Sequence, residues 1–388
     1  MPYDTVVIGA GPAGSTAARE LAARGARVLL VDRAPFPRDK PCGGGVLISA
    51  AAQLPFSLDP VVERVVTGFA VTYMRGRRTL HRHDAPLVYM TQRCRLDAFL
   101  VEQAVAAGTL FQDDRVVTAV EPDSTAVTLR FRGGDVATAS CVVAADGANS
   151  VARRALGLPP LRGAVALEAN VPGVPDRWRN RVALDLGSMP GGYGWLFPKG
   201  DHCNLGVGGW PTAGPHLRRD LARYALSEGF DPDSLFGLRG HALPLRDLGA
   251  PLVQGPIAFV GDAAGLVDPL SGEGIGNAFR SGRLAALEIA RLLDGRVSDL
   301  IDYERAVARE IDPDLAVSRQ LQALFHQQPW PYVRLLQRSR RFGRAFCRIV
   351  RGESSYARLK GRLGPFGLLV DAAAWQAERS TRARTGWG

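Results

Sequence analysis

Three short stretches of this 388-residue sequence hold residue types that do chemistry together. In YDTVVIGAGPAGSTAARELAARGARVLLVDR, glycines recur as Gly9, Gly11 and Gly14, and an acid, Asp32, follows eighteen residues after the last. Gly9 permits a tight turn, Gly11 lets the backbone approach a pyrophosphate at a helix N-terminus, and Gly14 lets helix and strand pack closely. Asp32 is placed to accept from a ribose hydroxyl. A second stretch, YGWLFPKG, sets Tyr193, Trp195 and Phe197 at alternate positions before Pro198 and Lys199. A third, DKPCGGGV, puts the thiol of Cys42 beside Gly43, Gly44 and Gly45, where the backbone can approach a ligand. The elements that must position the first group are a strand over 3–8, a helix over 13–23 and a strand over 27–31. Together they form a dinucleotide-binding βαβ unit, with Pro12 and Ala13 entering the helix and Arg33 following Asp32. The motif itself does not choose between NAD and FAD.

Two later segments make that choice. CVVAADGANSVARRALG reads as a buried strand ending at Asp146, and PIAFVGDAAGLVDPLSGEGIGNAFRSG as a strand, then Gly261-Asp262, then a helix starting near Gly274. In this order the three motifs resemble the FAD-dependent group that includes aromatic hydroxylases, flavin halogenases and geranylgeranyl reductases. The resemblance implies that Asp262 contacts the ribityl chain of the flavin. It also implies that Gly274, Ile275 and Gly276 point a helix N-terminus at the pyrimidine edge. There a helix terminus favours negative charge by about 0.3–2 kcal/mol. Arg93 opens RCRLDAFLVEQAVAAG, a helix with apolar residues at Leu96, Phe99, Leu100 and Ala104. The resemblance lays Arg93 against FAD; spacing alone also allows a solvated arginine.

DKPCGGGV and YGWLFPKG both resemble signatures of the geranylgeranyl reductase family, the second at every fixed position of its Y-x-W-x-F-P pattern. Flavin halogenases carry a related W-x-W-x-I-P stretch, from which Tyr193 and Phe197 depart. The resemblance covers about residues 1–330. Side chains alternate along a strand, so Tyr193, Trp195 and Phe197 share one face. That face is either packing between sheet layers or the wall of a pocket, and the resemblance selects the pocket. The surrounding glycines (Gly191, Gly192, Gly206, Gly208, Gly209) are then expected to leave room for a long, thin isoprenoid. Tyr193 and Trp195 are expected to serve catalysis and, with Phe197, to bind substrate. An isolated trisubstituted alkene is not electron-poor, so a hydride adds only as a proton arrives and positive charge develops on carbon. Aromatic faces stabilise such charge by roughly 0.5–2 kcal/mol. Cys42 is one candidate for the proton donor, since the family has a cysteine there beside the flavin. A role as a small buried residue is the other reading.

The composition, 46% apolar, supports a large core. The five cysteines are odd in number and widely spaced, which excludes a disulfide framework or zinc knuckle, and no metal site is expected. No apolar run approaches the ~20 residues of a spanning helix, and the N-terminus lacks a signal-peptide pattern. A cytoplasmic location is expected. The net charge of +10 comes from the tail: residues 330–388 hold 13 basic and 3 acidic side chains. Plotted as one helix over 331–352, Leu335, Leu336, Phe342, Phe346, Ile349 and Val350 form a stripe with arginines outside it. Such a helix either lies in the inner membrane face or packs on the FAD domain. No nucleic-acid motif accompanies the charge. With only three lysines in the chain, Lys199 is expected to hold a polar head group at the pocket mouth, or to be a solvated loop lysine.

The expected fold is α/β: an FAD-binding Rossmann-like domain of the glutathione-reductase/aromatic-hydroxylase type (1–60, 86–155 and 250–295), an inserted antiparallel β-sheet substrate domain (61–85 and 160–247), and a helical basic C-terminal region (298–388). The expected function is a flavin-dependent reductase that saturates isoprenoid double bonds, with FAD as cofactor and NAD(P)H or another reductant as donor. Alternatives are an FAD monooxygenase or halogenase acting on an aromatic substrate, and a non-catalytic prenyl-binding protein. Asp32 and the intact Gly261–Gly276 segment argue against the last.

Overall fold

Apolar residues run without alternation through Val28–Val31 and the second halves of the strands Tyr3–Ile8 and Val136–Ala144, as strands covered on both faces require. The computed structural model describes residues 3–385, and of 381–385 the backbone only. Tyr3–Ile8 lies at the centre of an eight-stranded sheet, parallel to Val136–Ala144 on one side and Val28–Val31 on the other. Ile257–Phe259 and Leu110–Gln112 extend the parallel part outward. The helices Arg93–Ala106 and Ile275–Leu293 both pack on Pro12–Ala22 as one covering layer, and the strands Val117–Pro122 and Val127–Phe131 branch off Val136–Ala144. The first βαβ unit matches the sequence reading within a residue at each end.

A second sheet has seven strands in the order Phe236–Pro244, Gly163–Pro172, His202–Gly209, Tyr193–Pro198, Arg181–Leu186, Gly68–Tyr73 and Thr79–Arg82. Only the Arg181–Leu186 and Gly68–Tyr73 pair is parallel. Alternation decides which side of this sheet is core. Leu196, Leu205 and Val207 pack with Leu221 and Tyr224 of the helix Leu217–Ser227, while the opposite face looks toward the first sheet's glycine turn.

The tail departs from the single helix expected over 331–352. Ser339 takes an extended conformation (φ −102°, ψ 107°) and splits it into Pro329–Arg338 and Arg340–Val350, and the Ser339 Oγ accepts from the Phe342 N–H at 3.2 Å. The phase of the apolar stripe is lost at that break. Leu336 and Val350 are buried with Val66, Phe69 and Val182, and the Phe346 ring lies 4.9 Å from that of Phe69. Leu335 and Phe342 are left exposed. Most of the stripe is therefore packing surface and is not free to enter a bilayer as one face. Among the described residues, no helix is long and apolar enough to cross a membrane.

Candidate active site

The glycine turn does what its spacing implies. A Cβ on Gly14 would overlap the Gly9 carbonyl, so helix and strand approach only because none is there. At Gly11 the space is open, and the nearest groups are the guanidinium nitrogens of Arg38 and Arg93, 3.6 and 3.7 Å from where a Cβ would stand. Arg93 is buried, not solvated, and its Nε and Nη2 both reach Asp97 at 2.7 Å. Burial works against its charge, and the Asp97 carboxylate more than offsets it. Arg38 bridges Asp97 (3.0 Å) and Asp32 (3.3 Å). Asp32 is also buried, accepting from the Ala10 N–H at 2.9 Å and the Ala34 N–H at 3.1 Å. Three of its roughly four acceptor positions are thus in use, leaving one for a ribose hydroxyl. Arg33 is exposed at the rim of the same cleft, which Pro12 and Ala13 also line.

Asp146 fixes the start of the helix Val151–Ala155 by accepting from the Val151 and Ala152 N–H groups at 2.6 and 3.0 Å. Its other oxygen is buried without a partner, and burial pushes its carboxyl upward. Burial would also raise Asp262, but the Lys40 ammonium at 3.1 Å and nearby His241 hold it well below the usual carboxylate range. Gly274 caps the helix Ile275–Leu293, as the sequence suggests, without a side-chain cap. The Gly276 N–H donates to Glu273 Oε1 at 2.6 Å. Burial pushes Glu273 up to about 7.

The aromatic strand aligns as its alternation predicts: Tyr193, Trp195 and Phe197 are half-buried on one face, Gly194, Leu196 and Pro198 buried on the other. Tyr193 and Trp195 meet edge to face with centroids 6.2 Å apart. The Tyr193 hydroxyl donates to the Ser271 carbonyl, and Trp195 Nε1 donates to Asn204 Oδ1 at 2.9 Å. Of the five neighbouring glycines, Gly191, Gly192, Gly208 and Gly209 line the cavity. The Trp195 indole fills the place of a Gly206 side chain, and the Trp210 ring fills that of Gly191, so these glycines admit the protein's own aromatics. The room lies in front of the rings. A cavity of about 850 Å³ runs from Gly11 and Asp262 across Cys42, Tyr193, Trp195 and Phe197 to Leu184, Val182 and Phe69, and ends on Phe346, Ile349 and Val350.

Lys199 is neither at the pocket mouth nor solvated. It is buried, and its ammonium donates to the Gly43 carbonyl and, at 2.8 Å, to the Thr91 carbonyl. Burial lowers it to about 8. It clamps the Gly43-Gly44 turn, which holds Cys42 at the cavity with its Sγ accepting from the Gly44 N–H at 3.3 Å. The Phe197 ring also packs against Gly43.

Residues 4–175 match the family model described as Lycopene cyclase protein. Digeranylgeranylglycerophospholipid reductase 1 of Methanothermobacter thermautotrophicus is 31% identical over 336 residues, covering 81% of this chain and 84% of its own. Geranylgeranyl diphosphate reductase of Rhodobacter capsulatus is 31% identical over 316 residues, covering 77% and 78%. The chain belongs to the geranylgeranyl reductase family of FAD-dependent oxidoreductases. Its fold is shared by a geranylgeranyl bacteriochlorophyll reductase-like protein of Thermoplasma acidophilum (TM-score 0.76, 24% identity, 84% of this chain and 88% of that one). A flavin-dependent brominase has the same fold (TM-score 0.77, 20% identity, 98% and 100%).

Three residues of this family member's site escape the sequence reading. Arg38 and Glu273 lie within quoted or neighbouring stretches but carry no spacing signal. Glu168 is the third: its Oε1 accepts from the Cys42 N–H at 2.8 Å. A carboxylate after the apolar run GAVAL of this strand was the available clue.

Proposed function

We propose that the chain binds FAD in the cleft between the two sheets and saturates isoprenoid C=C bonds of a polyprenyl lipid, quinone side chain or geranylgeranyl tail. NAD(P)H or another reductant is the electron donor in this reading, and the FAD-binding and substrate-binding units follow the boundaries given above. The observation that carries it is the single cavity joining the glycine turn to an aromatic row and then to an apolar end. The residues present fit the cofactor. The space at Gly11 is open toward two guanidinium groups that suit a pyrophosphate, and Asp146, with one buried oxygen unpartnered, is among the residues of the same cleft. Reduced FAD, when bound, supplies a hydride. This chain's residues then have to hold the alkene against that hydride, exclude water and deliver a proton. Tyr193, Trp195 and Phe197 offer the developing cation ring faces, worth roughly 0.5–2 kcal/mol. Lys199 and Phe197 both touch Gly43 and so hold the turn that carries Cys42.

The test is anaerobic. FAD-loaded protein reduced with dithionite and mixed with geranylgeranyl diphosphate should give products heavier by two hydrogens per saturated bond. Product formed only when oxygen is admitted would replace this reading with the monooxygenase or halogenase one, which the brominase fold likeness favours. A purified protein that never takes up FAD would replace it with a prenyl-binding role.

A further inference from the structure

We propose that Glu168 is the acid that protonates the alkene, a role that rests on the reductase reading above. Residues directly opposite on neighbouring strands point to the same face of a sheet. One such row reads Arg239, Glu168, Gly206, Trp195, Leu184 and Val71. Gly206 has no side chain, so nothing in the row stands between the Glu168 carboxyl and the Trp195 indole. The row is charged at one end and aliphatic at the other, and Glu168 sits at the boundary, in the cavity wall.

Two of the other proton-bearing groups nearby are committed elsewhere. The Tyr193 hydroxyl donates to the Ser271 carbonyl, and burial raises its pKa far above neutrality. Lys199 donates to the Gly43 and Thr91 carbonyls. Cys42 donates its backbone N–H to Glu168 and its sulfur accepts from Gly44, bonds that leave the thiol proton unused, so the Cys42→Ala arm of the test below separates the two groups. Burial pushes Glu168 up to about 6, opposed by the Cys42 N–H, Lys199 and Asn204 and aided by Asp39. Arg239, opposite it in the row, pairs with Asp39 at 2.7 Å.

In the step, the π bond breaks and two C–H bonds form. One carbon receives a hydride, with both electrons, from reduced FAD, which is oxidised. The other receives a proton from the Glu168 oxygen that does not accept from Cys42. The carboxylate left behind regains its proton from water at the exposed Arg239–Asp39 end of the row.

Reoxidation of pre-reduced holoenzyme by geranylgeranyl diphosphate, followed by stopped flow between about pH 5 and pH 9, tests this. The wild-type rate should fall about tenfold per pH unit above about 6, because the acid must be protonated. Glu168→Gln should be at least ~100-fold slower with no such fall, Glu168→Asp partly restored, and both should keep FAD. In the cofactor-free protein, an infrared carboxyl C=O band that titrates near the same pH should vanish in Glu168→Gln. A Gln variant that holds FAD and reacts at the wild-type rate overturns the proposal. So does a flat wild-type profile, or a fall abolished by Cys42→Ala and kept in Glu168→Asp. A reduced wild type that saturates no prenyl substrate overturns the reductase reading itself, and is recognised by its lack of any product.

Discussion

The indole of Trp195 occupies the space where Gly206 would carry a side chain. Strand register puts these residues directly opposite each other, so the ring's tilt is set by the missing Cβ and by the bond from Nε1 to Asn204.

Two substitutions separate the ring's roles. Trp195→Ala should lower the alkene half-reaction by about 2–30-fold, the rate equivalent of roughly 0.5–2 kcal/mol of lost cation stabilisation. Gly206→Ala should lower it too, by displacing the indole. Both variants should keep FAD, because the ring faces the part of the cavity beyond the glycine turn. Loss of FAD from Trp195→Ala, read from the flavin absorbance, would mean that the ring is packing.

Lys199 makes a prediction about stability against pH. Its ammonium lets go of a proton near 8 when folded and near its ordinary value of 10.5 when unfolded. Between those values the unfolded chain binds more protons, so stability rises with pH in that window. In Lys199→Met the rise should be absent. Urea unfolding of the cofactor-free protein at a series of pH values checks it, and an equal rise in both proteins would contradict the buried ammonium.

Glu273 holds an N–H at the start of the Ile275–Leu293 helix that is otherwise free to face a flavin. Glu273→Ala releases that donor and removes a carboxyl. The flavin midpoint potential should then rise by about 5–40 mV, from roughly 0.3–2 kcal/mol of helix-terminus stabilisation of the reduced form. A redox titration of wild type and variant decides, and an unchanged or lower potential would show that the helix end is not turned to the flavin.

These positions also mark where the sequence ceases to be legible. The βαβ unit and the aromatic face follow from local periodicity, which needs only neighbours along the chain. Glu168 shares a row with Trp195 through the pairing of three strands and meets Cys42 of a distant loop, and nothing local fixes either. Lys199 stands out by rarity, yet rarity does not say whether its ammonium turns to water or to carbonyls of a turn 156 residues away. The break at Ser339 is hidden for a related reason. Pattern along 331–352 permits one helix, and only packing onto Phe69 and Val182 gives the second half a different phase.

That packing carries the last prediction. The helix Arg340–Val350 closes the apolar end of the cavity with Phe346, Ile349 and Val350. It is held at its far end: Ser49 Oγ donates to the Val350 carbonyl at 3.0 Å, and Arg351 reaches the Pro86 carbonyl at 2.6 Å. A wall pinned in this way limits how far a chain can extend past Trp195. Phe346→Ala should lengthen the cavity without releasing the helix, at a cost below the roughly 3–5 kcal/mol of deleting a fully buried phenylalanine, since Phe346 is only partly buried. The ratio of rates on a longer prenyl chain to a shorter one should rise several-fold, and lipids that co-purify should shift to longer chains by mass spectrometry. If the ratio is unchanged in a folded, FAD-loaded variant, the chain does not run toward this helix, and the reacting bond must be presented from the polar end of the sheet.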